Sequence, residues 1–325
     1  MGVLVRSLIS MDTIQCEITN LCRNSCSNCT RFCGHREPFF MTLDEYKEAV
    51  DSMVDYPKMT GMQGGEPLLH PHFEAMCEYL RSKIPKGRCG LWTTLPEGYE
   101  HYREIICATF KHIFINDHSR PDIFHHPPLV GIEEMIEDRR MMWAAIDQCW
   151  AQMSWSASIF PSGAWFCEIA GSMSMLFGEE GRRGWPVEPG WWWRIPADFR
   201  EQMEYFCPRC GFPARVRRRA SVEGIDDISP SNYERLKDRS RKIAAGKYRL
   251  YDFADKDMTM ADAPLAKYKN TDYRNGIARR YGMFIKVNDE RFWTPYLIKD
   301  WRPGEGAECV DNRPLMDIYR EHWPQ

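Results

Sequence analysis

The first regular pattern in the chain is an alternation. In Thr13–Thr19, TIQCEIT, residues Ile14, Cys16 and Ile18 fall on one side and Gln15, Glu17 and Thr19 on the other, the period of a half-buried strand. From Thr42 the period becomes helical. Leu43, Tyr46, Val50, Met53 and Val54 share one face, and Thr42 with Glu45 makes a T-x-x-E capping box. A second helix is predicted from about Pro71, with Phe73, Met76, Cys77 and Leu80 as its apolar stripe, which places Cys77 in the core. CGLWTTL and HIFIND are predicted as the third and fourth strands, with a helix near Tyr99–Phe110 between them. Strands alternating with helices imply a parallel sheet, whose ligands sit at the carboxyl ends of the strands.

Further along the pattern is less regular. Between His118 and Cys149 there is room for a loop and the helix RRMMWAAIDQC. Two strands are predicted about a turn at Pro161-Ser162-Gly163. One helix is predicted between Ser229-Pro230 and Gly246. The tail from Tyr248 to Gln325 is rich in Tyr, Trp, Lys and Asp, and shows no repeat or low-complexity segment.

Composition narrows the class. The chain has 325 residues, enough for one large or two modest domains, and a net charge of −3 that argues for neither nucleic acid nor membrane as partner. No run of about 18 apolar residues marks a membrane span, and the N-terminus shows no signal peptide, so the expected address is cytoplasmic. Thiols there stay reduced. The 13 cysteines, several of them clustered, therefore point to metal rather than to disulfides.

The tightest group is Cys22, Cys26 and Cys29, spaced C-x3-C-x2-C in a loop just after the first strand. Three thiolates can hold three corners of a cubane and leave the fourth iron open, whereas a structural zinc site takes four ligands. A glycine-rich stretch follows the second strand, and its Gly64-Gly65-Glu66-Pro67 lets the backbone approach a ligand where a Cβ would clash. These two motifs, in this order with a helix between them, resemble the radical SAM superfamily. The resemblance implies a partial TIM-like β/α barrel and a 4Fe–4S cluster on Cys22, Cys26 and Cys29. It also implies that S-adenosylmethionine binds the open iron, with Gly64, Gly65, Glu66 and Pro67 contacting its amino group. Thr93, Thr94 and Asn116 are the expected contacts to the ribose or methionine carboxylate. One departure stands out: the aromatic residue that usually precedes the third cysteine is Asn28 here, and Phe32 is the nearby substitute. Cys16 is expected to be a small buried hydrophobe, and Cys33 is left unassigned.

A second set comprises Cys149, Cys167, Cys207 and Cys210. Cysteines flank the hairpin, and the C-x2-C of YFCPRCG comes later. This plan resembles the twitch domain of certain radical SAM enzymes, which implies an auxiliary 4Fe–4S cluster; structural zinc remains the alternative. The expected organisation is a core at 1–145, an auxiliary domain at 146–215 and a C-terminal extension at 216–325 that caps the barrel or binds substrate. The last two barrel strands are either missing or supplied by the hairpin and later chain.

Other residues carry weaker signals. Arg215, Arg217, Arg218 and Arg219 offer either an anion clamp or a solvated face. His125 and His126 in HHPP are expected to make loop contacts, and His70 to support the GGEP loop. Trp191-Trp192-Trp193 suits either sugar stacking or core packing. Cys309 is a candidate hydrogen-atom donor. The resemblance implies hydrogen-atom abstraction from a small, hydroxylated, sugar-like or aminocyclitol substrate, giving dehydrogenation, with flavodoxin or ferredoxin as electron donor. The alternatives are epimerisation, ribosomal-peptide modification and, without catalysis, a zinc-stabilised binding module.

Overall fold

A computed structural model describes residues 8–253 except 117, 119, 120, 122, 148, 150, 152–155, 179–183 and 215, and also describes 285–286. Cys309 and Arg215 lie outside the described residues. The strands are β1 (Thr13–Glu17), β2 (Met59–Gln63), β3 (Cys89–Thr93), β4 (His112–Ile115), β5 (Phe124–His125), β6 (Ser156–Phe160), β7 (Gly163–Trp165), β8 (Arg219–Ala220), β9 (Asp226–Ile228), β10 (Tyr248–Leu250) and β11 (Ile285–Lys286). The helices are α1 (Leu43–Ser52), α2 (Phe73–Lys83), α3 (Arg103–Thr109), α4 (Arg139–Ile146), α5 (Glu168–Phe177), α6 (Arg200–Phe206), α7 (Pro230–Leu236) and α8 (Arg241–Ala244).

A seven-stranded sheet in the order β11-β4-β3-β2-β1-β6-β7 is the centre of the molecule. β4, β3, β2, β1 and β6 are parallel, and antiparallel β7 and β11 close its two ends. The hairpin and the later chain thus extend the sheet. The boundary expected at 145/146 does not separate two sheets, because β6 pairs directly with β1.

The outer face follows the alternation of β1. Ile14, Cys16 and Ile18 are buried with Tyr46, Val50, Phe73, Met76, Cys77 and Leu80 from α1 and α2. α1 starts where the capping box predicts, with the Glu45 amide donating to Thr42 Oγ1 at 3.2 Å and the Thr42 amide donating to Glu45 Oε2 at 2.7 Å. It ends at Ser52, so Val54 falls beyond the helix and is exposed rather than part of the stripe. The single helix expected at 229–246 is two helices, α7 and α8. Ser240 interrupts it, its hydroxyl accepting from the Ile243 amide at 3.1 Å as an N-cap. Of the three consecutive tryptophans, Trp191 and Trp192 are core residues and Trp193 is exposed, which removes the three-ring stacking platform. No helix among the described residues is long and apolar enough to cross a membrane.

Candidate active site

The loop carrying Cys22, Cys26 and Cys29 leaves the carboxyl end of β1. The GGEP loop leaves the carboxyl end of β2 beside it, and the two are tied together by backbone. The Gly65 amide donates to the Thr19 carbonyl and the Glu66 amide to the Leu21 carbonyl, both at 2.7 Å. A Cβ on Gly64 would collide with the Thr19 carbonyl oxygen, and one on Gly65 with that of Leu21. The glycines are therefore required for packing against the cysteine loop.

Glu66 is buried, and both its oxygens are engaged. Oε1 accepts from Thr93 Oγ1 at 2.6 Å and from the Leu68 amide at 3.2 Å; Oε2 accepts from the Thr94 amide at 2.7 Å and from Thr94 Oγ1 at 2.6 Å. Burial raises its pKa, and these donors oppose the rise. Asn116 is joined to the same place, its amide donating to the Thr93 carbonyl at 2.9 Å. Its buried side-chain oxygen has no hydrogen-bond partner. The structure thus brings together Gly64, Gly65, Glu66, Pro67, Thr93, Thr94 and Asn116, drawn from three strand ends.

Cys33 joins the first cysteine set. Its thiol lies beside those of Cys22 and Cys29. Cys33, with help from the charges of His125 and Lys242, holds the Cys29 thiol well below its ordinary pKa in spite of burial. Burial and the neighbouring thiols Cys29 and Cys22 push Cys26 up. Asn28 is held by a neighbouring aspartate. It sits in a left-handed conformation, φ +51°, with its side chain turned to Asp227. Phe32, also left-handed at φ +52°, is buried edge-on against His35.

The inner face of the sheet is polar. The β1 register places Gln15 opposite Ser158 and Glu17 opposite Gln63. Gln15 Nε2, Glu17 Oε2, Gln63 Oε1 and Ser158 Oγ are buried without a hydrogen-bond partner. Arg31, two residues past Cys29, sits among them. Its Nε lies 2.9 Å from Glu17 Oε1, and its terminal nitrogens lie 3.0 Å from Glu168 and 3.1 Å from Gln15. Burial lifts the Glu17 carboxyl to about 8; Arg31 opposes this, while Glu168 adds to it. Trp92 stacks on Phe114 at 4.2 Å beside this polar wall.

Cys149, Cys167, Cys207 and Cys210 all line one cavity of about 30 Å³, walled otherwise by Ile146, Phe166, Met173, Met203, Phe206 and Phe212 among others. Cys167 precedes α5, a helix the sequence pattern did not announce, and Cys207 follows α6. Burial raises all three thiols after Cys149, with Cys167 pushed up to about 12. The HHPP segment lies between the two cysteine regions. His125 meets the Ser27 carbonyl at 2.7 Å and His126 the Gly211 carbonyl at 2.8 Å, so the adjacent rings face different ways, as loop contacts do. His70 reaches the Met41 carbonyl at 3.0 Å and supports the GGEP loop.

Both sets fit thiolate-bound groups in chemistry, although no three His, Cys, Asp or Glu side chains among the described residues are arranged to hold a single metal ion. A cubane spreads its thiolates farther apart than one ion does. The orphaned polar atoms near the first set also fit a polar ligand.

Residues 16–136 match the model of the Radical SAM superfamily. The chain carries a radical SAM domain. With it come S-adenosylmethionine and one 4Fe–4S cluster as the implied cofactors, and the zinc-stabilised binding module, which required GGEP to be chance, falls away. No curated protein matches the chain. Among solved structures, the crystal structure of BtrN in complex with AdoMet and 2-DOIA matches at 15% identity over 62% of this chain and 92% of that one. Its TM-score is 0.40.

Proposed function

We propose that this protein is a radical SAM enzyme that dehydrogenates an alcohol carbon of a hydroxylated, sugar-like or aminocyclitol small molecule. The observation that carries this reading is the pairing, in one fold, of a cysteine loop packed on GGEP with four further cysteines around one apolar cavity. When bound, a 4Fe–4S cluster on Cys22, Cys26 and Cys29 with S-adenosylmethionine supplies hydrogen-atom abstraction, and a second on Cys149, Cys167, Cys207 and Cys210 supplies an electron acceptor. An external one-electron donor such as flavodoxin or ferredoxin is required.

The chain's own residues bind and orient. Glu66, fixed by Thr93 and Thr94, presents the anionic side of the S-adenosylmethionine site, and Asn116 Oδ1 offers a free acceptor. Gln15, Gln63 and Ser158 offer unpaired hydrogen-bonding atoms to substrate hydroxyls, and Glu17 Oε2 accepts from them. The Trp92–Phe114 pair keeps water from this wall. A cleft of about 1010 Å³, lined by Asn20, Arg31, Phe32, Phe39, Phe160 and Trp185 among others, gives the substrate its approach.

Metal and sulfide analysis of anaerobically purified protein tests this. Two clusters predict about eight iron and eight sulfide per chain, with about four of each surviving Cys22→Ala/Cys26→Ala/Cys29→Ala. A second reading, structural zinc on the same four cysteines, rests on the C-x2-C spacing of Cys207 and Cys210. Iron near four and zinc near one, with the iron lost in the triple variant, would establish that reading and replace oxidation by redox-neutral chemistry such as epimerisation.

A further inference from the structure

The first cysteine loop is braced from outside the radical SAM domain. Lys242, on α8, donates to the Cys26 carbonyl at 2.9 Å and to the two oxygens of Asp226, on β9, at 3.0 and 2.9 Å. All three ammonium hydrogens are thus used. Asp226 Oδ1 accepts from the Asn28 amide at 2.5 Å, and Oδ2 lies 2.6 Å from His35 Nε2. His35 Nδ1 in turn lies 2.8 Å from Ser240 Oγ. Asn28, His35, Asp226 and Lys242 are each no more than 3% exposed.

A lysine and an aspartate are rarely buried this fully, because taking charges out of water costs several kcal/mol per ion even after relaxation. Here the cost falls beside a loop that holds two non-glycine residues, Asn28 and Phe32, in the left-handed region. Asp227 completes the brace: its amide donates to Asn28 Oδ1 at 2.8 Å, and its Oδ2 accepts from Asn28 Nδ2 at 3.1 Å.

We propose that Lys242 and Asp226 are positioning residues for the cluster on Cys22, Cys26 and Cys29: they fix the loop backbone at Cys26–Asn28 and, with opposite charges, set the reduction potential of that cluster. The inference rests on the radical SAM reading of the site.

The experiment is a redox titration of the full-length reconstituted protein, followed by electron paramagnetic resonance on the signal that changes when S-adenosylmethionine is added. Lys242→Met leaves Asp226 uncompensated and is expected to move the midpoint to more negative potential. Asp226→Asn leaves Lys242 uncompensated and is expected to move it to more positive potential. Lys242→Arg restores a midpoint near the wild type. Should Lys242→Met not fold by circular dichroism, Lys242→Gln keeps a donor for the Cys26 carbonyl and carries the same test of sign. Shifts in the same direction, or midpoints unchanged in both charge variants, overturn the proposal. A wild-type protein that takes up no 4Fe–4S cluster overturns the radical SAM reading instead, and this inference with it.

Discussion

Around Cys22–Cys33 the thiols stand among hydrogen bonds and charges. Lys242 is on the Cys26 carbonyl, His125 on the Ser27 carbonyl, and Arg31 joins Glu17 to Glu168 just past Cys29. Around Cys149, Cys167, Cys207 and Cys210 the walls are aliphatic, aromatic and thioether groups. The first surroundings already lower one thiol, Cys29. The second raise every thiol for which burial shifts the pKa. Thiolates in the second cavity must therefore be made by the positive group that enters it, whereas in the first loop Cys29 is favoured as a thiolate in advance and Cys26 and Cys33 are not.

The largest effect that separates the regions is catalytic. Cys22→Ala/Cys26→Ala/Cys29→Ala is expected to abolish formation of 5′-deoxyadenosine. Cys207→Ala/Cys210→Ala is expected to leave that cleavage in place and remove oxidised product, as read by chromatography. Loss of cleavage in both would break the comparison. Next comes Arg31→Met, which strands Glu17 and Glu168 without their shared cation; a loss of about 3–5 kcal/mol in denaturant melts is expected. Gly65→Ala drives a methyl into the Leu21 carbonyl and is expected to cost about 1–3 kcal/mol, with weakened S-adenosylmethionine binding by calorimetry.

The smallest effect is on the pH profile. Glu17 has a folded pKa of about 8 against an ordinary 4.5, so between these values the folded chain holds a proton that the unfolded chain has lost. Stability from this group is full below pH 4.5 and is lost as pH rises towards 8. Glu17→Gln should flatten that decline in thermal melts from pH 5 to 8; an unchanged slope would mean that Glu17 ionises normally in the folded protein.

What was legible in the sequence was local. The β1 alternation, the Thr42–Glu45 capping box, the stripe on α2 and the 161–163 turn each depend on residues a few positions apart, and each appears in the fold. The spacing of Cys22, Cys26 and Cys29 and the GGEP stretch were legible for the same reason. The brace was not. Asn28 and Asp227 lie 199 positions apart, and no local period reports such a pairing. One signal was available: the adjacent aspartates in GIDDISP, set among apolar residues, mark charges that need buried partners. Arg219 is one such partner, its guanidinium forked on Asp227 at 2.9 and 2.7 Å, so it is not free to clamp a substrate anion. Arg217 is exposed, as a solvated face requires. The Arg31–Glu168 pair was invisible for the same reason as the brace, since its partners are 137 positions apart.

The brace also imposes an order in time. Lys242 is made 216 residues after Cys26. At cellular rates of synthesis the ribosome takes on the order of 10–40 s to cover that distance. During that interval the nascent cysteine loop has no ammonium at the Cys26 carbonyl and no carboxylate at the Asn28 amide. Insertion of iron and sulfide into a finished loop accordingly waits for α8 to be made, and a chain cut short before α8 would carry the thiols without the means to hold their shape.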